Sequence, residues 1–195
     1  MNIVVLGGYR GGTSMVAGVL RGLGVFMGGR MGAESGGTNH EDLDFQLQKP
    51  LIVRHLIDKR NKSHKDWGWK DPNTINIIDK IKDRLVDPKY IVIFRDPYAM
   101  AMSEHKRNYR DIKVGLQHAI KQQQKLVDFA STNECLMLSY EKCLQNRESF
   151  VNAVVNHLDI MVSPDQLVTA AEAITNGCYT KTISGTVARK LTRML

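Results

Sequence analysis

The sequence contains little cysteine and no long apolar run. Its 195 residues include three cysteines, and no pair has the short spacing of a zinc or redox motif. We therefore predict free thiols in a reducing compartment for Cys135, Cys143 and Cys178. No stretch reaches the roughly 20 apolar residues of a membrane-spanning helix, and the short apolar run near the N-terminus leads directly into glycines, unlike a signal peptide. These absences predict a cytoplasmic protein without a membrane span.

Acidic residues are outnumbered by basic ones. The chain has 20 Asp and Glu against 27 Lys and Arg, which gives a formal net charge of +7 and a pI near 9.4. This balance favours anionic partners such as a nucleotide, a sulfated or phosphorylated substrate, nucleic acid or a membrane surface. The basic residues are spread along the chain and no recognised nucleic-acid motif is present, so nucleic acid is disfavoured as a partner.

Short apolar runs alternate with helical patterns along the chain, and the length fits one domain covering residues 1–195. This alternation predicts a three-layer α/β fold with a central parallel sheet flanked by helices. The glycine-rich segment 24–39 is predicted as a loop, and the basic tail from Thr175 has no clear period. The predicted strands are Ile3–Leu6, Trp67–Lys70, Tyr90–Phe94 and Cys135–Leu138. The predicted helices are Thr13–Leu23, Leu43–Ile57, the apolar stripe from Ile75 to Leu85, a helix from Tyr98, an amphipathic helix from Leu116 to Ala130, Glu148–Leu158 and Pro164–Ile174.

A glycine loop, Gly7–Ser14, joins the first predicted strand to the first helix. Such a junction binds phosphate because the N–H groups of the loop and of the helix N-terminus point at the anion. The loop matches both glycines and the final hydroxyl of the pattern GxxxxGK[ST], but Thr13 occupies the lysine position. Loss of that lysine argues against an ATPase or kinase, although Arg10 supplies a cation earlier in the loop. A small P-loop kinase, or a non-catalytic protein that binds anions or nucleic acid, remains an alternative.

A second anion-binding candidate follows the strongest predicted strand. Tyr90–Phe94 is followed by Arg95, then by Asp96-Pro97 at the start of a helix, with Ser103 two turns further on. A guanidinium and a hydroxyl would therefore lie near the C-terminal end of a central strand, where open α/β sheets bind their ligands. The planar fork of arginine suits a terminal phosphate. The structural alternative is an ion pair between Arg95 and a neighbouring acid such as Asp96.

Together these segments resemble the PAPS-dependent sulfotransferases, in which 3′-phosphoadenosine 5′-phosphosulfate (PAPS) is the donor and the bisphosphate PAP is the product. The stretch YRGGTS resembles their 5′-phosphosulfate loop, and strand–Arg–Asp–Pro followed by Ser is similar to their 3′-phosphate motif. The resemblance covers roughly residues 1 to 160 and requires no metal, and the six scattered histidines show no metal-ligand spacing. It implies that the 5′-phosphosulfate lies on Arg10, Gly11, Gly12, Thr13 and Ser14, that Arg95 and Ser103 hold the 3′-phosphate, and that Tyr140 lies near the adenine.

Sulfuryl transfer needs a base for the acceptor, a cation for the leaving group and in-line geometry. The polar segment Thr38–Leu43 contains two candidate bases. By resemblance to sulfotransferases that act on sugars we choose Glu41, with His40 as the alternative because the small-molecule branch uses a histidine. A helix N-cap with acids that favour the helix dipole is the structural alternative. Lys70 in WGWKDP resembles a lysine that faces the sulfuryl group, and Arg10 is the second cation.

The sequence departs from the family in one respect and leaves the acceptor unassigned. The late Arg-Lys-Gly-x-x-Gly loop that also contacts the 3′-phosphate is not present, and the spacing does not require Lys181 or Arg189 to replace it. The acceptor is expected to be a small molecule or a glycan, and the positive charge favours an acidic sugar. Whether the chain forms an oligomer is left open.

Overall fold

Four short strands form one parallel sheet. They are β1 (Asn2–Gly7), β2 (Trp67–Lys70), β3 (Pro88–Phe94) and β4 (Cys135–Ser139), in the spatial order β2-β1-β3-β4. The computed structural model describes residues 1–28, 42, 44–46 and 49–174. Each strand is a short apolar run, and both β1 and the centre of β3 are buried. This pattern is typical of strands covered on both faces.

Seven α-helices surround the sheet within the described residues. They are α1 (Thr13–Gly22), α2 (Pro50–Ser63), α3 (Pro97–Asn108), α4 (Ile112–Ala130), α5 (Tyr140–Gln145), α6 (Arg147–Leu158) and α7 (Pro164–Glu172). Side chains alternate between the faces of β1, so Ile3 and Val5 pack with α1, α6 and α7, whereas Val4 and Leu6 pack with α2 and α4. The predicted three-layer α/β fold with a parallel sheet is confirmed.

The predicted helix Leu43–Ile57 is wrong at its start. The described residues 44–46 form a turn, with the amide of Phe45 donating to the carbonyl of Asp42, and α2 begins only at Pro50. Proline has no N–H to donate and its ring fits the first position of a helix, while the residue before it favours an extended backbone. Lys49 has that extended backbone, at φ −69° and ψ 150°. The proline therefore sets the helix start.

The apolar stripe from Ile75 to Leu85 does not form the predicted α-helix. The segment instead forms three single turns of 3₁₀-helix, Thr74–Asn76, Ile78–Lys80 and Lys82–Arg84. A 3₁₀-helix has three residues per turn, so the spacing of three between Ile75, Ile78 and Ile81 also places them on one face of this geometry. The apolar period alone did not distinguish the two kinds of helix.

Two of the cysteines carry free thiols, as predicted, and Cys178 lies outside the described residues. Burial raises the pKa of the Cys143 thiol to about 11, so this group stays protonated at neutral pH. Among the helices of the described ranges, none combines the length and the apolar character needed to cross a membrane.

Candidate functional site

Three candidate segments leave the sheet side by side at its carboxyl edge. Gly7, the last residue of β1, pairs with Ile93, and Phe94 at the end of β3 pairs with Ser139 at the end of β4. The glycine loop, Arg95 and Tyr140 follow these three strand ends directly. Parallel strands thus bring together segments that are up to 130 residues apart in the sequence.

The glycine loop is folded tightly and ends at the N-terminus of α1. The Gly11 amide donates to the Gly8 carbonyl at 2.9 Å, and Gly12 is the N-cap of α1 with a φ of +95° that glycine adopts readily. A glycine cap has no side chain to accept from the first amides of α1, which remain directed at the loop. The helix dipole and these N–H groups favour an anion at this point.

Arg10 connects the loop to α3. Its backbone has a φ of +63°, a conformation that is strained for a residue with a side chain. Its Nε donates to the Ser103 hydroxyl at 2.9 Å, so the cation predicted for the 5′-phosphosulfate lies beside the hydroxyl predicted for the 3′-phosphate. The sequence had placed these two groups at opposite ends of the donor, and the structure brings them into contact.

Arg95, which follows β3, is held against the glycine loop. One Nη1–H donates to the Arg10 carbonyl at 2.8 Å, and the guanidinium carbon lies 4.3 Å above the centre of the Tyr140 ring. Its buried Nε–H has no acceptor within the described part of the chain. Asp96 does not pair with Arg95, because its carboxylate caps α3 by accepting from the Ala99 amide at 2.6 Å. Arg95 therefore retains donors for an anionic ligand.

Tyr140 packs directly on the glycine loop. A Cβ built on Gly12 would overlap the Cδ2 atom of the Tyr140 ring, so the ring lies flush against the backbone that precedes α1. The ring also contacts the Arg95 guanidinium and packs against the core on the α1 side of the sheet. Glu141, the next residue, accepts from the Asp96 amide at 3.0 Å. The Tyr-Glu pair at the end of β4 thus supports both phosphate-binding candidates.

Two glutamines of α4 complete the site and were missed by the sequence analysis. The Oε1 atom of Gln122 accepts from the Tyr9 amide at 2.8 Å, and the side chain of Gln123 donates to the Arg95 carbonyl. Each side chain therefore holds the backbone of one anion-binding segment. Their only sequence signal is a polar run, QQQ, inside an amphipathic helix, and such a run is usually solvated.

Lys70 is buried at the end of β2, with 3% of its surface exposed. It pairs with Val5 of β1, so its side chain leaves the sheet on the face that carries α1, while Trp67 and Trp69 pack on the opposite face. Asp71 then accepts from the Asn73 amide at 2.9 Å and fixes the turn after the strand. The lysine therefore lies at the carboxyl end of β2, beside β1 and on the α1 face of the sheet.

His40 and Glu41, the candidate bases, lie outside the described residues. Asp42 is described, and it forms a buried ion pair with Arg60 of α2. The Arg60 guanidinium also lies 5.1 to 5.4 Å from the ring centres of Phe26, Phe45 and Trp67, and its Nη2 is 3.2 Å from an oxygen of Asp44. Asp42, the residue that follows Glu41 in the sequence, is therefore held by Arg60.

No cluster of three or more His, Cys, Asp or Glu side chains that could hold a metal ion occurs in the described ranges. The Asp96 and Glu141 carboxylates at the carboxyl edge accept from backbone amides. The other groups gathered there are guanidinium, ammonium, hydroxyl and backbone N–H groups, which can donate to anions. Chemically, the arrangement suits a ligand with more than one phosphate or sulfate group.

The sequence and the fold were compared with those of known proteins. The model of the sulfotransferase family matches residues 33–164, which is more than half of the chain. No curated protein matches the sequence significantly. The segment of the match includes Lys70, Arg95, Ser103 and Tyr140, and it begins after the glycine loop.

Solved sulfotransferase structures share the fold. The sulfotransferase domain of the Synechococcus PCC 7002 olefin synthase matches with a TM-score of 0.63 and 14% identity, over 93% of this chain and 82% of that one. The sulfotransferase domain from the curacin biosynthetic pathway gives 0.58 and 17% identity over 86% and 76% of the two chains. A mouse sulfotransferase complexed with PAP gives 0.56 and 13% identity over 89% and 64%.

The family match confirms the predicted enzyme class, a sulfotransferase, and the structural neighbours share the predicted P-loop-like α/β fold. The family match rests on the sequence itself, whereas the structural neighbours, all below 20% identity, show the shared fold. The chain belongs to the sulfotransferase family.

Proposed function

We propose that the carboxyl edge of the sheet binds PAPS and transfers its sulfuryl group to a hydroxyl or amine of a small-molecule or glycan acceptor. The 5′-phosphosulfate lies on Arg10, Gly11, Gly12, Thr13 and Ser14, and the 3′-phosphate on Arg95 and Ser103. The observation that carries the proposal is the hydrogen bond from Arg95 to the Arg10 carbonyl, which joins the two phosphate-binding segments.

The presence of two separate positively charged elements supports a donor with an anionic group at each end. The N-terminus of α1 and the Arg95 guanidinium are separate anion-binding elements that are joined through the Arg10 backbone and the Tyr140 ring. PAP carries a phosphate at each end of its ribose, so one molecule can satisfy both. The mouse neighbour is complexed with PAP, which agrees with this assignment. Tyr140 then lies next to the adenosine.

In the proposed reaction the acceptor oxygen attacks the sulfur of PAPS. The bond between sulfur and the bridging oxygen of the 5′-phosphate breaks, and its electron pair stays on PAP. Glu41 takes the proton of the acceptor hydroxyl as the new S–O bond forms, with His40 as the alternative base. The charge that develops on the bridging oxygen is stabilised by the Lys70 ammonium and by Arg10.

Burial supports the role proposed for Lys70. An ammonium removed from water interacts more strongly with a nearby anion, because less solvent screens the pair. Lys70 is 3% exposed and extends from a strand end on the α1 side of the sheet. A bound phosphosulfate at the N-terminus of α1 would place its negative charge on this same side.

The donor site is tested by calorimetric titration with PAP. We expect micromolar or tighter binding of PAP, weak binding of ATP and NAD, and a loss of PAP affinity of about 10- to 150-fold in Arg95→Ala, because a charged hydrogen bond contributes about 1.5 to 3 kcal/mol. The matched control is Arg84→Ala, an exposed arginine at the opposite end of β3, which should bind PAP like the wild type.

Two outcomes would contradict the donor assignment. If ATP with Mg²⁺ binds and PAP does not, the site belongs to a P-loop kinase. If Arg95→Ala binds PAP as tightly as wild type, the 3′-phosphate is held elsewhere.

The contact between Gly12 and Tyr140 gives a second test of the donor site. Gly12→Ala places a methyl group against the Tyr140 ring at a φ of +95°, which costs about 1 to 3 kcal/mol in free energy of unfolding and displaces either the ring or the loop. We expect PAP affinity to fall along with stability, as measured by calorimetry and urea unfolding.

Gly24→Ala is the matched control. Gly24 has a similar φ of +88° but lies at the far end of α1, where its Cβ would approach Gln166. That variant should lose stability and keep its PAP affinity. Equal affinity losses in both variants would mean that the Gly12 effect is general destabilisation.

A further inference from the structure

The two glutamines of α4 that contact the glycine loop and Arg95 are neighbours in the sequence. Consecutive side chains leave an α-helix about 100° apart, so the two can reach different partners. Gln122 accepts from the Tyr9 amide at 2.8 Å, whereas Gln123 donates to the Arg95 carbonyl. Tyr9 lies just after β1 and Arg95 just after β3, and these two strands are adjacent in the sheet. One short stretch of α4 therefore contacts the backbone of both segments that are proposed to hold phosphate.

The contacts of the two glutamines are closely packed. Gln122 is 8% exposed, which is low for a glutamine. A Cβ built on Gly8 would lie 2.8 Å from the Oε1 atom of Gln122 and 2.7 Å from the Cε atom of Met100, so the missing side chain at Gly8 allows this close approach. The Sδ atom of the buried Met100 in turn lies 3.4 Å from Nε2 of Gln123. Both amide side chains are therefore held in place by their neighbours.

The helix that carries these glutamines is anchored to the rest of the fold. The Asp111 carboxylate caps its first turn, and Gly115 brings it close to α3, since a Cβ at Gly115 would lie 3.3 Å from that of Ala101. Leu126 is buried in the core on the face of the sheet opposite α1. Tyr140 contacts the loop and Arg95 from the α1 side. The two phosphate-binding candidates are thus supported from both faces of the sheet.

We propose that Gln122 and Gln123 are positioning residues that fix the separation of the two phosphate-binding segments before the donor binds. This inference rests on the proposed function, because it concerns that same donor site. The two phosphate groups of PAP are joined through one ribose, so the protein must present both segments at a matching separation. A segment that is already in place does not have to be ordered when the ligand binds, and this lowers the cost of binding. Loss of either glutamine returns that cost to the donor.

The third glutamine of the same run provides a matched control. Gln124 is exposed and donates to Asp128, one turn further along α4, at 2.9 Å. The test is calorimetric titration with PAP of the wild type and of Gln122→Met, Gln123→Met and Gln124→Met. Methionine has a similar length but lacks the amide group. We expect PAP affinity to fall about 3- to 10-fold in the first two variants, as for loss of one hydrogen bond, and to stay at the wild-type value in Gln124→Met.

Combination with Arg95→Ala separates positioning from a general loss of packing. Gln123 is proposed to act through Arg95, so Gln123→Met should change PAP affinity by less than about twofold once the guanidinium is gone. Gln122 is proposed to act on the glycine loop, so Gln122→Met should keep its full effect in the Arg95→Ala background. A merely structural role would give Gln123→Met the same effect in both backgrounds.

The outcomes distinguish this inference from the proposed function. A wild-type protein that does not bind PAP overturns both. If the wild type binds PAP and the variants at 122 and 123 bind it like Gln124→Met, the positioning role alone is wrong. An equal effect of Gln123→Met with and without Arg95 also overturns it. Urea unfolding shows whether each variant is folded, and Gln123 is only partly buried, so its variant tests the proposal even if Gln122→Met does not fold.

Discussion

Replacing Glu41 with glutamine should lower kcat by about 100- to 10,000-fold and leave PAP affinity unchanged, as expected for loss of a general base. Glutamine keeps the size of the side chain but cannot take a proton from the acceptor hydroxyl. In the proposed site the donor is held by Arg95 and the glycine loop, and the substitution replaces neither of them. A fall in kcat without a change in PAP binding therefore separates proton transfer from donor binding.

The measurement is transfer of radiolabelled sulfate from PAPS to a panel of hydroxyl-bearing acceptors, using for all variants the acceptor with the highest wild-type turnover. His40→Asn is the matched control, because it removes the neighbouring titratable group and keeps a polar side chain. We expect that variant to retain most of its activity. If His40→Asn loses turnover and Glu41→Gln does not, the base is the histidine, as in the small-molecule branch.

The strands were predictable because each is a short apolar run that is followed by residues unlike those of the strand. β1 ends in a glycine, and β3 is followed by Arg95 and Asp96-Pro97, so the sequence itself marks where these two strands leave the sheet. The helix errors have local causes. Pro50 stops the helical pattern from extending back toward Leu43, and a spacing of three residues between isoleucines fits a 3₁₀ turn as well as an α-helix.

Within the candidate site, the sequence pointed to the groups that are proposed to contact the donor, but not to the side chains that hold the backbone of those segments. Arg95 and the glycine loop are recognisable because their neighbours along the chain fix their geometry. Gln122 and Gln123 act on backbone atoms 113 and 28 residues away, and no local pattern distinguishes them from solvated glutamines. The contact between Arg10 and Ser103 was also unexpected, since it depends on the path of α3 over the loop.

Arg60→Met is expected to lower the free energy of unfolding by about 3 to 5 kcal/mol, because it leaves the buried carboxylate of Asp42 without its partner. The Asp42 side chain is fully buried and that of Arg60 is 11% exposed. Methionine can still pack on Phe26, Phe45 and Trp67, so the loss reports mainly on the uncompensated charge. Urea unfolding of the wild type and the variant measures this difference.

Arg54→Met is the matched control, because Arg54 pairs with the exposed Asp83 and surface ion pairs contribute little to stability. The double variant Asp42→Asn/Arg60→Met should recover part of the stability, since it removes both charges. Asp42 is bonded directly to Glu41, so we expect Arg60→Met to lower kcat as well, at temperatures where the variant is still folded. Wild-type kcat in a folded Arg60→Met protein would show that the ion pair of Asp42 is not needed to position the proposed base.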